Sequence, residues 1–234
     1  GERVDTDPAA RGHAFATLGK FCLKRENLAK NSLELLVLHM RSSESFAVRN
    51  NVLIVLGDLC VQYTSLVDRF VPCMTAVFRD DNELLRKQAA MIIASLLSED
   101  FIKFRGLTMF RFLFLLSDPA DAVRGFVQCV FERILHRRNP ALFSQNFLDV
   151  ICAFNSWSGL SNFKGAAGNE EFTLRESPSR RTMVYRFMLA LMSNEQKFSV
   201  CAQIVTTLLA AFVDAEERLE LPQTVREPAG QVLS

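Results

Sequence analysis

An arginine recurs along this 234-residue sequence at a nearly constant interval. The positions are Arg11, Arg49, Arg86 and Arg124, so the three spacings are 38, 37 and 38 residues. The surroundings repeat as well, because "TLGKFCL" and "VLGDLCV" share a Leu-Gly pair followed by a charged residue, an apolar residue and Cys. Three consecutive spacings that agree within one residue indicate a chain built from stacked structural repeats.

The second copy, "AVRNNVLIVLGDLC", contains the apolar run 52–56, which read alone fits either a buried strand or a buried helix. Apolar residues at 48, 52, 55, 56 and 59 follow the helical spacing i, i+4, i+7, i+8, i+11. The segment 46–63 is also too long for a typical strand. We therefore predict a helix that is apolar on more than one side, which is typical of a helix in the middle of a stack.

Other helices are predicted between the arginine-bearing ones, over 28–40, 65–78 with a kink at Pro72, 101–116 and 140–154. Asn139 is the expected N-cap of the last of these, with Pro140 at the first helical position. A helix, a short polar turn and a second helix in about 37 residues is the period of HEAT-type repeats. The predicted fold is all-α, an α-solenoid (α-α superhelix) of stacked HEAT-type helix pairs.

The repeat pattern predicts four regions along the chain. Residues 1–157 hold the HEAT-type repeats, and 158–179 are polar and Gly-rich, which is typical of a surface loop. Residues 180–217 resume the helical pattern as a further pair, over 180–192 and 194–217. Residues 218–234 have two prolines and little periodicity, so we expect a poorly ordered tail.

The recurrent arginines have two interpretations. Each of Arg49, Arg86 and Arg124 follows acidic turn residues, which are Glu44 for the first, Asp80 and Asp81 for the second, and Asp118 and Asp121 for the third. A planar guanidinium suits carboxylates and capped turns, so these arginines are expected to form a structural ladder between repeats. The alternative interpretation is that they contact phosphate groups.

Several other residues also favour structural roles. Gly19 and Gly57 lie in the middle of predicted helices, which indicates close helix packing rather than a ligand site. Cys22 and Cys60 occupy equivalent apolar positions, and no acid or histidine is placed to activate them as nucleophiles. His136 is expected at the C-terminal end of a helix, where its imidazole would interact favourably with the last carbonyl groups through the helix dipole.

Composition excludes several classes of protein. The six cysteines form no CxxC pair and the three histidines lie far apart, so we expect reduced buried thiols and no metal site. The longest uncharged apolar stretch, 198–213, is too short to span a membrane. Phosphate-loop, nucleophile-elbow, HExxH and dinucleotide motifs are absent from the sequence. We therefore expect no enzymatic activity, no cofactor and no small-molecule substrate.

Basic residues cluster locally, although the net charge is only +1. The segment 101–140 contains seven basic residues and three acidic ones. A second basic group lies around the end of the predicted loop. Such groups could contact DNA or an acidic partner, or they could simply form the solvated rim of a solenoid. The dipeptide Ser177-Pro178 is a possible phosphorylation site beside this second group. The candidate contacts are Lys103, Arg105, Arg111, Arg133, Arg137, Arg138, Arg180 and Arg181.

Longer motifs resemble one family. "VRNNVLIVLGDLCVQYTSLVDRFVP", "LLRKQAAMIIASLLSEDFIKFRG", "RRNPALFSQNFLDVICAFNSW" and "MVYRFMLALMSNEQKF" resemble the HEAT-repeat D-type (non-SMC regulatory) subunit of condensin, in its condensin II version. The resemblance covers residues 14–217. Because family members are several times longer, we expect the chain to be a fragment.

The resemblance implies a non-enzymatic scaffold or regulatory subunit of mitotic chromosome condensation, located in the nucleus on chromosomes. Its implied partners are a kleisin and the SMC ATPases, together with DNA or histone tails. The matched positions are mainly helix core, so the motif assigns no contact residue. The alternative is a general HEAT-repeat adaptor, of the nuclear-transport or phosphatase-scaffold kind, without a nucleic-acid role. A third alternative, an enzyme, would need a concave polar pocket with a perturbed acid or base.

Overall fold

The computed structural model describes residues 7–156 and 172–209. The chain divides into two compact units, Gly1–Val130 and Phe131–Ser234. Within the described residues, every regular element of both units is helical and no strand occurs. The predicted all-α class is confirmed.

Unit 1 contains eight helices in its described part, joined by short turns. Two of them, α4 and α5, are short and are flanked by single 3-10 turns. The helices are α1 (Pro8–Lys24), α2 (Glu26–Ser42), α3 (Phe46–Gln62), α4 (Thr64–Val67), α5 (Val71–Ala76), α6 (Glu83–Ser98), α7 (Gly106–Phe114) and α8 (Asp121–Val130).

The arginine-bearing helices of unit 1 form a row. α1 packs against α3, α3 against α6, and α6 against α8. The intervening helices pair with this row, because α2 contacts both α1 and α3, and α5 contacts α6 and α7. The arrangement is that of stacked helix pairs, in which each pair buries the apolar faces of its neighbours.

Helix α3 shows why the apolar run 52–56 is helical. The hydroxyl of Ser45 accepts a hydrogen bond from the backbone N–H of Val48 and caps the first turn. Val52, Leu53 and Leu56 are then fully buried, although they point in different directions around the helix. Neighbours on several sides of α3 cover these side chains, so the segment needs no sheet partner.

Two glycines mark the closest approaches within the row. A Cβ atom added to Gly19 would lie 2.4 Å from a methyl group of Val55, and one added to Gly57 would lie 2.8 Å from a methyl group of Ile92. Both facing side chains are β-branched and therefore stiff. Glycine at these positions lets α1 approach α3 and α3 approach α6. In α8, a Cβ added to Gly125 would meet nothing within 4 Å.

The single kinked helix predicted over 65–78 is wrong. The segment breaks into α4, a 3-10 turn at Asp68–Phe70, α5, and a second 3-10 turn at Val77–Arg79. Pro72 causes the break, because it has no N–H to donate and its ring clashes with the carbonyl group four residues earlier. It stands at the second position of α5, where a missing N–H is tolerated.

The helix predicted over 101–116 is shorter than expected, since α7 begins only at Gly106. The preceding helix ends with Asp100 in the left-handed region, at φ 62°. The N–H of Phe101 then donates to the carbonyl of Leu96 at 2.9 Å, which closes α6 instead of starting a new helix. Gly106 also has a positive φ, of 54°, so the chain turns sharply before α7. Lys103 and Arg105 therefore lie in a loop.

Unit 2 continues the helical pattern with four helices in its described part. A π-helical turn at Phe131–Leu135 precedes them, and a second one, Ile204–Leu209, follows them. Helix α10 packs against both α11 and α12. The helices are α9 (His136–Arg138), α10 (Leu142–Phe154), α11 (Pro178–Ala190) and α12 (Asn194–Gln203).

Two boundaries predicted for unit 2 change. Helix α10 begins at Leu142 instead of residue 140, because Asn139 accepts the N–H of Ala141 and forms a turn first. Helix α11 begins at Pro178, so the predicted loop 158–179 ends earlier. Its described end also contains buried Phe172 and Leu174, which a polar surface loop would not have. Within the predicted helix 194–217, the α-helical part ends at Gln203 and a π-helical segment continues to Leu209.

Several predicted features lie outside the described residues. These are most of the loop 158–179, the end of the helix expected over 194–217, and the tail 218–234.

Aromatic rings fill the interior of unit 2. The ring centroids of Phe131, Phe143 and Phe187 lie 5.5 to 6.0 Å apart in tilted and edge-to-face pairs. His136, predicted at a helix end, stacks on Phe143 with centroids 5.8 Å apart. Such pairs add to the free energy gained from apolar burial. The many phenylalanines of the sequence thus serve packing in this unit.

We expect alanine at Gly19 or Gly57 to lower the free energy of unfolding by about 1–3 kcal/mol, because the new methyl group overlaps a stiff β-branched side chain of the neighbouring helix. Gly125→Ala is the matched control. It fills open space on a helix, and we expect it to raise stability by about 0.5–1 kcal/mol. Urea denaturation followed by circular dichroism measures the free energy of unfolding of the three variants. Equal effects at Gly57 and Gly125 would contradict the close approach.

Candidate functional site: ladder arginines and exposed basic residues

Arg49, at the start of α3, pairs with a carboxylate of the following repeat. Its guanidinium donates to Asp80, which lies in the turn before α6. The other carboxylate oxygen of Asp80 accepts the N–H of Asn82 at 2.9 Å, so the turn holds the acid in place. The partner of Arg49 is thus 31 residues ahead in sequence.

Arg86 forms the most completely buried link of the row. Its Nε and Nη2 atoms each donate at 2.8 Å to one oxygen of Asp118, in the turn before α8. Its Nη1 atom donates to the carbonyl oxygens of Asp80 and Asp81 at 2.9 and 3.2 Å. Arg86 is 8% exposed and Asp118 is 2% exposed. The hydrogen bond to Asp118 raises the pKa of Arg86, although burial opposes that shift.

Arg124 occupies the equivalent position in α8 and holds its own turn. It donates to the carbonyl oxygens of Asp118 and Pro119 and pairs with Asp121. Arg11 is exposed on α1, and its backbone N–H donates to the carbonyl of Asp7. Arg49, Arg86 and Arg124 thus donate to neighbouring turns, although Nε of Arg49 has no partner. Burial keeps Arg86 from any phosphate group.

Two candidate contact residues are wrong, because the structure buries them. Arg111 is 7% exposed and donates to the carbonyl of Pro72 and, at 3.2 Å, to the hydroxyl of Thr75. Arg181 is 5% exposed and donates to the carbonyls of Leu174 and Arg175. Both side chains satisfy backbone groups where the chain is irregular. A count of charges along the sequence does not distinguish such arginines from exposed ones.

The remaining basic candidates divide between the two units. In unit 1, Lys103 and Arg105 are exposed in the loop before α7, and Lys103 pairs with Asp100 at 3.7 Å. In unit 2, three arginines are exposed around α9, whereas Arg180 is half-buried. The three exposed ones are Arg133, Arg137 and Arg138.

A groove in front of α7 was not found from the sequence. It lies between the α4–α5 segment and the loop that carries Lys103 and Arg105, and its lining includes Gly106 and Thr108. The glycine that follows Arg105 is the only local signal of the sharp turn. Because α4 and α7 are far apart in sequence, no local sequence pattern predicts the groove between them.

Burial makes the core thiols poor nucleophiles. It raises the pKa of Cys60 to about 11 and that of Cys152 to about 12. All six cysteines are free, and Cys129 and Cys201 are exposed. Within residues 7–156 and 172–209, no group of three or more His, Cys, Asp or Glu side chains could hold a metal ion. No helix in that part of the chain has the length and hydropathy needed to cross a membrane.

Comparison with known proteins identifies the family. A family model described as Cnd1, non-SMC mitotic condensation complex subunit 1, matches residues 47–217. The chain belongs to this family. A second model, described as HEAT repeats of condensin-2 complex subunit D3-like proteins, matches residues 3–40. The two matches together cover both the arginine repeats and the described part of unit 2.

Relatives of this Cnd1-family chain are named as condensin subunits. The chain is 38% identical over 87% of its length to condensin-2 complex subunit D3-L of Xenopus laevis, and 36% identical over 87% to subunit D3 of Mus musculus. Condensin complex subunit 1 of Mus musculus is 29% identical over 71% of the chain. The resemblance to the condensin II D-type subunit is confirmed. The chain spans 14% of the length of the two D3 relatives.

We expect Asp118→Ala to lower the free energy of unfolding by about 3–5 kcal/mol, because it leaves the Arg86 charge buried without its partner. Glu34→Ala is the control. It removes the exposed pair with Arg69 at 3.9 Å, and we expect a change within about 0.5 kcal/mol. Urea denaturation at neutral pH compares the two variants. A loss below 1 kcal/mol for Asp118→Ala would contradict a structural role for the pair.

Proposed function

We propose that this chain is a segment of a condensin II D-type subunit and acts as a non-enzymatic scaffold in mitotic chromosome condensation. It would work in the nucleus, on chromosomes, by binding the kleisin and SMC subunits of the complex. The observation that carries the proposal is the Cnd1-family match over 47–217, together with 36–38% identity to D3 subunits. The row of stacked helices, linked by the Arg49–Asp80 pair and the buried Arg86–Asp118 pair, supports a scaffold, since it holds extended surfaces in fixed positions.

Capture from mitotic extract tests the proposed partnership. The immobilised chain is expected to retain kleisin and SMC subunits of condensin II, whereas Asp118→Ala, which disturbs the stack, should retain less of both. The alternative, a general HEAT-repeat adaptor, is favoured if nuclear-transport or phosphatase proteins are retained and condensin subunits are not.

Direct contact with DNA or histone tails is the second part of the proposal. The DNA contact rests on the exposed residues Lys103 and Arg105 in unit 1 and Arg133, Arg137 and Arg138 in unit 2. The phosphate backbone attracts such cations regardless of sequence, and binding releases the counterions of the DNA. Histone tails are themselves basic, so they would need acidic or apolar surfaces instead.

Replacing Lys103, Arg105, Arg137 and Arg138 with alanine together should weaken binding to duplex DNA. It should also reduce the slope of log K against log salt concentration by up to about 3–4, because each lost phosphate contact contributes about 0.9. Fluorescence anisotropy at several salt concentrations measures both. The control removes four exposed cations of α1 and α2, which are Lys20, Lys24, Lys30 and Arg41. Equal effects of the two variants would show attraction by net charge alone.

Ser177 is the proposed phosphorylation site in unit 2. It directly precedes α11, its side chain makes no capping hydrogen bond, and Pro178 follows it at the first helical position. A phosphate would add about −1.5 to −2 charges at a helix N-terminus, where negative charge is stabilising. The half-buried Arg180 lies in the first turn of the same helix.

We expect Ser177→Asp to raise the free energy of unfolding by about 0.5–1 kcal/mol, because it supplies both a cap and a negative charge. Ser199→Asp, in the middle of α12, is the control and should have no stabilising effect. A proline-directed kinase should modify Ser177 in the intact chain, as read by mass spectrometry. Absence of modification, with the same kinase active on a control peptide, would contradict the site.

A further inference from the structure

The groove in front of α7 is a single open concavity of about 750 Å³. Its walls are largely apolar and come from the start of α5 and from the segment that leads into α7. Val71, Pro72, Ile102 and Leu107 form these walls. The size is sufficient for one or two side chains of a bound peptide together with its backbone.

One end of the groove is polar, because the N-terminus of α7 opens into it. Gly106 and Thr108, in the first turn of this nine-residue helix, both line the groove. No side chain of the described residues caps this turn, since Arg105 stands at the N-cap and makes no capping hydrogen bond. A Cβ atom added to Gly106 would meet nothing within 4 Å, so the space beside the turn is open. Free N–H groups and the helix dipole together favour an anion there.

Thr108 provides an independent indication that a ligand binds. Its side chain is 9% exposed and lines the groove, and its hydroxyl has no hydrogen-bond partner among the described residues. The hydroxyl oxygen itself is accessible, so it faces the open space of the groove. By contrast, the buried hydroxyls of Thr75 and Ser117 in the same unit donate to backbone carbonyls at 3.1 and 2.9 Å. The hydroxyl of Thr108 is available to donate to an oxygen atom in the groove.

Two cations and two carboxylates surround this polar end. Lys103 and Arg105 line the groove from the loop side, and Asp68 lines it from the 3-10 turn between α4 and α5. Asp100 pairs with Lys103 at 3.7 Å, but both side chains are largely exposed, so water weakens the pair. A dianionic group would compete well with Asp100 for Lys103, since it carries more charge and more acceptor oxygens.

From these features we infer that the α7 groove binds a phosphorylated serine or threonine in a peptide segment of a protein partner. The phosphate lies at the first turn of α7, within reach of Thr108, Lys103 and Arg105. The flanking residues of the peptide lie against the apolar walls. Duplex DNA fits this concavity less well, because its backbone needs cations spaced along an open surface and gains nothing from apolar walls.

This inference shares Lys103 and Arg105 with the proposed DNA contact but does not depend on it. Thr108 separates the two, since it is only 9% exposed at the end of the groove, where an extended peptide reaches more easily than the backbone of a duplex. The capture of kleisin and SMC subunits tests the proposed function separately from the phosphopeptide experiment.

The test uses the full chain and two peptide pools of degenerate sequence around a central residue, one pool with phosphoserine and the other with serine. Immobilised pools are expected to retain the wild-type chain at least tenfold more strongly when phosphorylated. Phenyl phosphate in solution should release it. Thr108→Val, which keeps the shape of the side chain, should weaken retention several-fold, and Lys103→Ala with Arg105→Ala should abolish it.

Controls make the result specific. Thermal unfolding of Thr108→Val must match that of the wild type, and Lys20→Ala with Lys24→Ala should bind the phosphorylated pool normally. Binding of each variant to duplex DNA is measured in parallel. Equal retention by the two pools would overturn the inference. It would also be overturned if Thr108→Val bound like the wild type while duplex DNA displaced the peptides, because the groove would then be part of a DNA surface.

Discussion

The buried pair between Arg86 and Asp118 is the interaction on which the stack of unit 1 depends. Two charges are removed from water there, which is unfavourable unless every donor and acceptor is satisfied. The planar guanidinium meets both carboxylate oxygens at 2.8 Å, and its third nitrogen reaches two carbonyl oxygens of the preceding turn. One side chain therefore fixes three segments, the turn before α6, α6 itself and the turn before α8. A slip of one helix along its neighbour would leave these charges buried without partners.

Close backbone approach complements this electrostatic constraint. Gly19 and Gly57 bring successive helices of the row together, each at a position eight residues after the recurrent arginine of its repeat. In α3, Arg49 thus sets the register near one end of the helix, and Gly57 sets the distance farther along. The fully buried apolar residues of α3 follow from this arrangement, since a helix held between neighbours keeps only one exposed strip, which includes Ile54 and Val61.

Much of the fold follows from the sequence because the repeat carries information at long range. The arginine spacing aligns helices that no local pattern could relate, and the helical period then excludes a sheet. The wrongly predicted helix boundaries occur where the backbone conformation of single residues interrupts the periodic pattern. Pro72 divides a periodic apolar segment. The positive φ angles of Asp100 and Gly106 turn the backbone, so α7 begins later than the pattern predicts. Phe172 and Leu174 are buried although polar residues surround them in the sequence.

The functional surface was harder to predict than the fold. Charge alone assigned Arg111 and Arg181 to the surface, yet each is buried where it satisfies carbonyl groups of an irregular segment. Their partners are set by tertiary packing, which a charge count does not contain. The groove at α7 depends in the same way on two segments about 40 residues apart, brought together by the stack.

Hydrogen–deuterium exchange of the wild type and Asp118→Asn tests most directly whether the buried pair holds the stack together. This substitution keeps the shape of the side chain and removes its charge. The account predicts faster exchange in α6, in α8 and in the turn at 80–82 that Arg86 also holds. Faster exchange confined to the turn around residue 118, with α6 and the turn at 80–82 unchanged, would contradict it.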